Sequence, residues 1–172
     1  MTLAVNILLF QAGWFACVLG AAHGMPWLGP LVAAAIVAWH LVRAAQPGQE
    51  LALVAVAAVL GALFETLLVQ TGWVRFETGV LIEGTAPCWM VALWAIFATT
   101  LNVSLRWLRA RTGLAALFGA IGGPAAYYAG AKLGALELVR TGAALAAIAA
   151  GWAILTPVLL RAARRLDGYA RP

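Results

Sequence analysis

Residues 51–69 read LALVAVAAVLGALFETLLV. A run of this length with one charged side chain, Glu65, matches the roughly 20 apolar residues that a single membrane crossing takes. Four more stretches of the same character and one shorter stretch fill most of the remaining chain. The composition agrees: of 172 residues, 65% are hydrophobic and 10% charged, and the mean hydropathy is +0.95, whereas a soluble domain carries roughly 25% charged residues. About six crossings use up roughly 120 positions, which leaves short connectors and no room for a soluble catalytic domain.

The spans are expected at 3–22, 28–42, 51–69, 88–105, 114–133 and 138–160. The first ends at His23-Gly24-Met25-Pro26, where Gly and Pro stop a helix. The second is short for a crossing and relies on Trp27 and Arg43 as interfacial anchors. Between the second and third, Arg43–Glu50 reads as a polar connector around Pro47-Gly48. Segment 70–87 mixes Trp73, Arg75, Phe76, Glu77 and Glu83 with Val80-Leu81-Ile82, which suits an interfacial flap in the headgroup zone. Residues 161–172 form a basic tail. The expected fold is therefore all-α, one domain, a six-helix membrane bundle.

Lys and Arg set its orientation. Arg43, Arg106, Arg109, Arg111, Arg161, Arg164, Arg165 and Arg171 fall on one side of such a bundle, and Arg75, Lys132 and Arg140 on the other, so the basic-residue rule puts both termini in the cytoplasm. The net charge of +5 is then a consequence of topology. The basic residues lie at span ends and form no solvated patch, so nucleic acid is not an expected partner.

Glu65 is the residue most in need of an explanation, because an acid inside hydrocarbon is costly unless paired, protonated or wetted. Tyr127 and Tyr128 on the fifth span are expected near its height, with Lys132 one turn above and Trp94 as an aromatic wall. This set is a candidate ligand or headgroup site, or alternatively a structural hydrogen bond between helices. A second polar group, Asn6, Gln11, His40, Thr99 and Asn102, gathers toward the cytoplasmic end, either as interhelical glue or as the lining of an aqueous cleft. Gly122, Gly123 and Pro124 are expected to interrupt the fifth span, and the glycines at four-residue intervals around them allow close helix approach.

Several chemistries find no support. His23 and His40 flank one span and so lie at opposite faces, no further His or carboxylate cluster completes a metal set, and neither a hydrolase triad nor a phosphate-binding loop is present. No cofactor or metal is expected. Cys17 and Cys88 sit in or beside apolar runs without ligand spacing and read as packing residues, with a disulfide as the less favoured alternative.

The stretch from Ala86-Pro87-Cys88-Trp89 through Thr99-Thr100-Leu101, continuing to Ser104-Leu105-Arg106-Trp107-Leu108, resembles a bacterial membrane family known as domain of unknown function 2878. So do Gly119–Pro124 with Tyr127, Gly130 and Gly134, and Asn6 with Gly13-Trp14. Where the family's third span is expected to carry Asp, this chain has Glu65, which keeps the acid and moves it by one methylene. The resemblance implies a small multi-spanning inner-membrane protein without an assigned activity, in the company of enzymes that modify fatty acyl chains. Together these readings favour binding or presentation of a lipid or other amphipathic molecule, or scaffolding of a lipid-modifying enzyme. A small-solute or proton-coupled carrier is the second reading, and a lipid-directed enzyme with Glu65 as base the third. The expected partners are membrane lipids and, in the scaffold version, that enzyme.

Overall fold

The computed structural model describes residues 2–170; Arg171 and Pro172, part of the expected basic tail, lie outside the described residues. Six α-helices follow one another: α1 (Leu3–Ala22), α2 (Leu28–Arg43), α3 (Pro47–Gln70), α4 (Cys88–Leu101), α5 (Thr112–Lys132) and α6 (Thr141–Arg165). A two-residue strand β1 (Val74–Arg75) pairs antiparallel with β2 (Glu137–Leu138), placing Val74 opposite Leu138 and Arg75 opposite Glu137. This ladder ties the 70–87 segment to the α5–α6 connector and marks one end of the bundle, called here the hairpin end. The opposite end is the basic end.

Four helices, α1, α3, α5 and α6, are long and apolar enough to cross a membrane, and α2 and α4 are shorter apolar helices. The chain is thus a multi-pass membrane protein by architecture. Its outward surface supports this: Leu31, Leu63, Leu67, Ile121 and Ile154 are all more than half exposed, a surface that water penalises and hydrocarbon does not.

The boundaries that differ most from the sequence expectation are the start of α3, the end of α4 and the end of α6. Helix α3 begins at Pro47 rather than residue 51, because proline at the first helical position loses a donor that has no partner there anyway. Glu50 is thereby drawn out of the connector into the first turn, where its charge suits the helix dipole. Helix α4 stops at Leu101 and gives way to turns and a 3-10 segment at Arg106–Leu108. It spans only about 21 Å at its rise per residue. It survives because it is the central helix, apolar all round and packed against α1, α2, α3 and α6. Helix α6 runs on to Arg165, so residues 161–165 of the expected tail are helical, and residues 166–170 fold back onto the bundle.

The expected interruption of span five is absent. Gly122, Gly123 and Pro124 lie within one continuous helix. Proline removes a single ladder bond, and the packing of α5 on α6 holds the rest. That packing depends on small residues: a Cβ at Gly119 would lie 2.2 Å from the Trp152 carbonyl oxygen, and one at Gly123 would lie 2.5 Å from the Trp152 ring. Gly122, one position away, faces open space.

The two neighbours therefore separate packing from propensity. Gly119→Ala is expected to lower stability in detergent by about 1–3 kcal/mol, because backbone rather than a yielding side chain blocks the methyl. Gly122→Ala is expected to hold or gain slightly through helix propensity. Thermal denaturation of both variants checks this, and equal melting points would reject the close α5–α6 approach.

Candidate functional site

The buried stripe of α3, Glu50, Leu53, Val54, Ala57, Gly61, Glu65 and Leu68, follows helical spacing along one face. It carries an acid near each end, about 22 Å apart along the axis. Both acids are fully buried.

At the upper end, Glu65 Oε1 accepts from the Trp94 indole N–H at 2.9 Å and from the Tyr127 hydroxyl. Gly61, one turn below, makes room for Trp94, since a Cβ there would fall 2.1 Å from the indole. Trp94 then stacks on Trp152 at 4.5 Å between centroids. Glu65, Trp94 and Tyr127 thus assemble as the sequence reading expects. Tyr128 and Lys132 do not join them: both point outward, with the Lys132 ammonium over the exposed Tyr128 ring. Among the described residues, Glu65 Oε2 and the Trp152 indole N–H have no partner.

At the basic end, Glu50 is the centre of a second network that the sequence reading left in a connector. Its Oε2 accepts from His40 Nε2 at 2.7 Å, and its Oε1 accepts from Asn102 Nδ2 at 2.7 Å and from the Gly168 backbone N–H at 2.8 Å. Asn102 Nδ2 also donates to the Leu166 carbonyl, and the Tyr169 hydroxyl donates to the His40 carbonyl. Burial, together with the nearby Glu50 charge, pushes the Tyr169 phenol up to about 12. Asp167 pairs with Arg106 and Arg109. Partial burial alone would raise its carboxyl, but the two guanidiniums outweigh that and hold it below the usual carboxylate range.

The remaining members of the expected polar group divide. Asn6 Nδ2 donates to the Thr99 carbonyl and its Oδ1 accepts from the Ser104 N–H, pinning α1 to the end of α4. The Thr99 hydroxyl turns back to its own helix at Ile96. Gln11 is exposed and belongs to a different feature. Cys17 and Cys88 are free thiols; Cys17 is buried where α1 crosses α2 at Gly29. Among the described residues no three His, Cys, Asp or Glu side chains converge as a metal set.

The feature that holds Gln11 is an open cleft of about 540 Å³ between α1 and α5. These two helices share no extended interface, because α5 leans on α6. Ile7, Gln11 and Trp14 form one wall, and Phe118, Gly122 and Ala126 the other; Phe97 and Trp152 lie at the back. A smaller cavity of about 70 Å³ adjoins it, sharing Phe10, Trp14, Phe97, Ala126 and Trp152 and reaching Trp94 and Tyr127. Glu65 lines neither space. Trp94 and Tyr127 stand between it and the cavity, so the acid orients the two rings and does not face the opening.

Between Glu50 and Glu65 the interior is apolar: Leu53, Val54 and Ala57 pack with Phe97, Ala98, Leu101 and Leu159 in one cluster. The two acids therefore belong to separate networks.

Against known families, residues 3–158 match the model described as "Protein of unknown function (DUF2878)". The chain belongs to this family. The match takes in all of α1 to α5 and most of α6, including both acids of α3 and every residue named along the cleft. No curated protein and no solved structure matches the chain.

If Glu65 positions Trp94 and Tyr127, its acceptor oxygen matters more than its charge. Glu65→Gln, which keeps that acceptor, is expected to melt close to the parent protein. Glu65→Leu strands two buried donors at about 1–3 kcal/mol each and is expected to melt well below it. Tryptophan-fluorescence melting in detergent distinguishes the two, and a Leu variant as stable as the Gln variant would remove the positioning role.

Proposed function

We propose that the chain is a bacterial inner-membrane protein that binds or presents a lipid, with an acyl chain lodged in the cleft between α1 and α5. The cleft itself carries the reading. It opens sideways from the bundle, lies in the size range of small-molecule sites, and is walled almost entirely by apolar and aromatic groups. A water-filled path would instead need polar lining, and here Gln11, Thr100 and Ser104 are the polar contributors.

Within this reading the expected site residues take different roles. Trp94 and Tyr127 close the deep end of the cavity, Glu65 holds them in register, and Gln11 sits on the wall. Tyr128 and Lys132 face the surrounding membrane at the hairpin end. The His40–Glu50–Asn102 network holds the helices together at the basic end. Gly122, rather than breaking its helix, keeps the cleft open. The carrier alternative is weakened by the apolar cluster between the two acids, which offers no polar relay from one to the other. A scaffold for a lipid-modifying enzyme remains compatible with the same cleft, since a bound lipid held at the side of a bundle is accessible to a neighbour in the bilayer.

Two outcomes are expected. Gly122→Leu, built into open space, should fold and melt like the parent yet lose lipid that co-purifies in mild detergent, as read by native mass spectrometry; unchanged lipid in that variant would overturn the assignment of the cleft. The Arg distribution supports both termini lying on the cytoplasmic side. A reporter that matures only in the periplasm should accordingly stay dark when fused after Pro172, and a bright fusion would reverse the orientation.

A further inference from the structure

We infer that the cleft selects an anionic phospholipid and holds it in one orientation, with the phosphate at the Trp107–Arg111 mouth and the chain terminus against the Trp94–Tyr127 wall. This rests on the lipid reading above and adds headgroup charge and direction to it.

The cleft is asymmetric along its length. Ser104, Leu105 and Trp107 line it at the basic end, while toward the hairpin end it passes into the cavity bounded by Trp14, Val18, Met90 and Leu136. From Ile7 to Val18 along α1 it extends about 16 Å. Half of a hydrocarbon core about 30 Å thick is about 15 Å, so the length suits one chain of a lipid drawn from the leaflet at the basic end.

The charge at the mouth is likewise one-sided. Arg106 and Arg109 share the single carboxylate of Asp167, which leaves this pair net positive. Arg111 has no carboxylate partner among the described residues; its guanidinium lies 5.7 Å from the centre of the Trp107 ring that lines the cleft, and its side chain is exposed. A guanidinium parked on an aromatic face is weakly hydrated and free to turn toward phosphate oxygens. Among the described residues, Asp167, already paired with Arg106 and Arg109, is the acid beside this mouth. The opposite end of the cavity is walled mostly by carbon: the Trp94 and Tyr127 polar atoms are engaged by Glu65 and the Trp89 indole N–H by the Thr78 carbonyl, which leaves the buried Trp152 indole N–H as a neutral donor. A headgroup there would meet no lining cation to balance its charge, whereas a methyl terminus meets apolar ring faces.

The test uses the full chain in nanodiscs of equal phosphatidylglycerol and phosphatidylcholine, followed by native mass spectrometry of the retained lipid. One juxtamembrane cation corresponds to about a fivefold preference for anionic lipid, so the parent protein, with Arg111 and the net charge of the Arg106–Arg109 pair at the mouth, is expected to retain phosphatidylglycerol more than about fivefold over phosphatidylcholine. Arg111→Gln, an exposed change that leaves packing intact, should lower that ratio about fivefold and leave the smaller preference due to the pair. Direction is read separately with phosphatidylglycerol bearing a photoactivatable diazirine at its chain end, which should label peptides containing Trp89–Leu93 or Leu136. The same ratio in parent and Arg111→Gln, or chain-end labelling of Ser104–Trp107, would overturn the headgroup assignment while leaving a lipid in the cleft. A parent protein that retains neither lipid would overturn the lipid reading itself.

Discussion

A carboxylate withdrawn from water costs several kcal/mol unless its oxygens are taken up by donors held in place, and α3 carries two on one face. Each requirement recruits a different part of the chain. Glu50 draws together α2 through His40, the end of α4 through Asn102 and the segment after α6 through Gly168. Glu65 draws together α4 through Trp94 and α5 through Tyr127. Lipid supplies no donors to substitute for these partners, so the polar demands of one helix fix where four other elements stand.

The cleft follows from how unevenly that tethering is spread. Helix α5 is held by α6 through Gly119 and Gly123 and by Tyr127 through Glu65, yet it shares no extended interface with α1. Helix α1 in turn is fixed on its other side, by Gly13 against Ile36 and Ile96 and by Asn6 against the end of α4. Two helices anchored away from each other leave a gap, and the gap inherits whatever faces it. Those residues are Trp14, Phe97, Phe118 and Trp152, large rings around the open Gly122.

Much of this was legible from residue types alone. Apolar length and breaker residues located six helices, and the cost of an isolated acid singled out Glu65 together with Trp94 and Tyr127. Glu50 escaped because Pro47-Gly48 reads as a turn, although proline equally opens a helix; extending the α3 stripe one turn back from Leu53 would have brought Glu50 onto the same face as Glu65. Helix α4 was drawn too long because Asn102–Leu105 continues without a breaker, whereas backbone turns onto the Thr100 carbonyl and the side-chain bonds of Asn102 and Asn6 hold this stretch in the structure. Lys132 was paired with Glu65 on height, but residues at equal depth on neighbouring helices need not share a face. The cleft itself leaves no pattern in sequence, since it is a property of which helices share no extended interface.

Gly168, which donates to Glu50, is synthesised 118 residues after it. Helix α3 therefore enters the bilayer with His40 already available to one oxygen of its first acid, while the other, Oε1, still lacks the Asn102 and Gly168 donors. That is affordable only because Glu50 stands in the first turn, at the hydrated rim, where water can serve until the return segment arrives. Desolvation of this carboxylate is thus a late event in biogenesis, and the chain after α6 works as a stopper that seals the bundle once its helices have gathered.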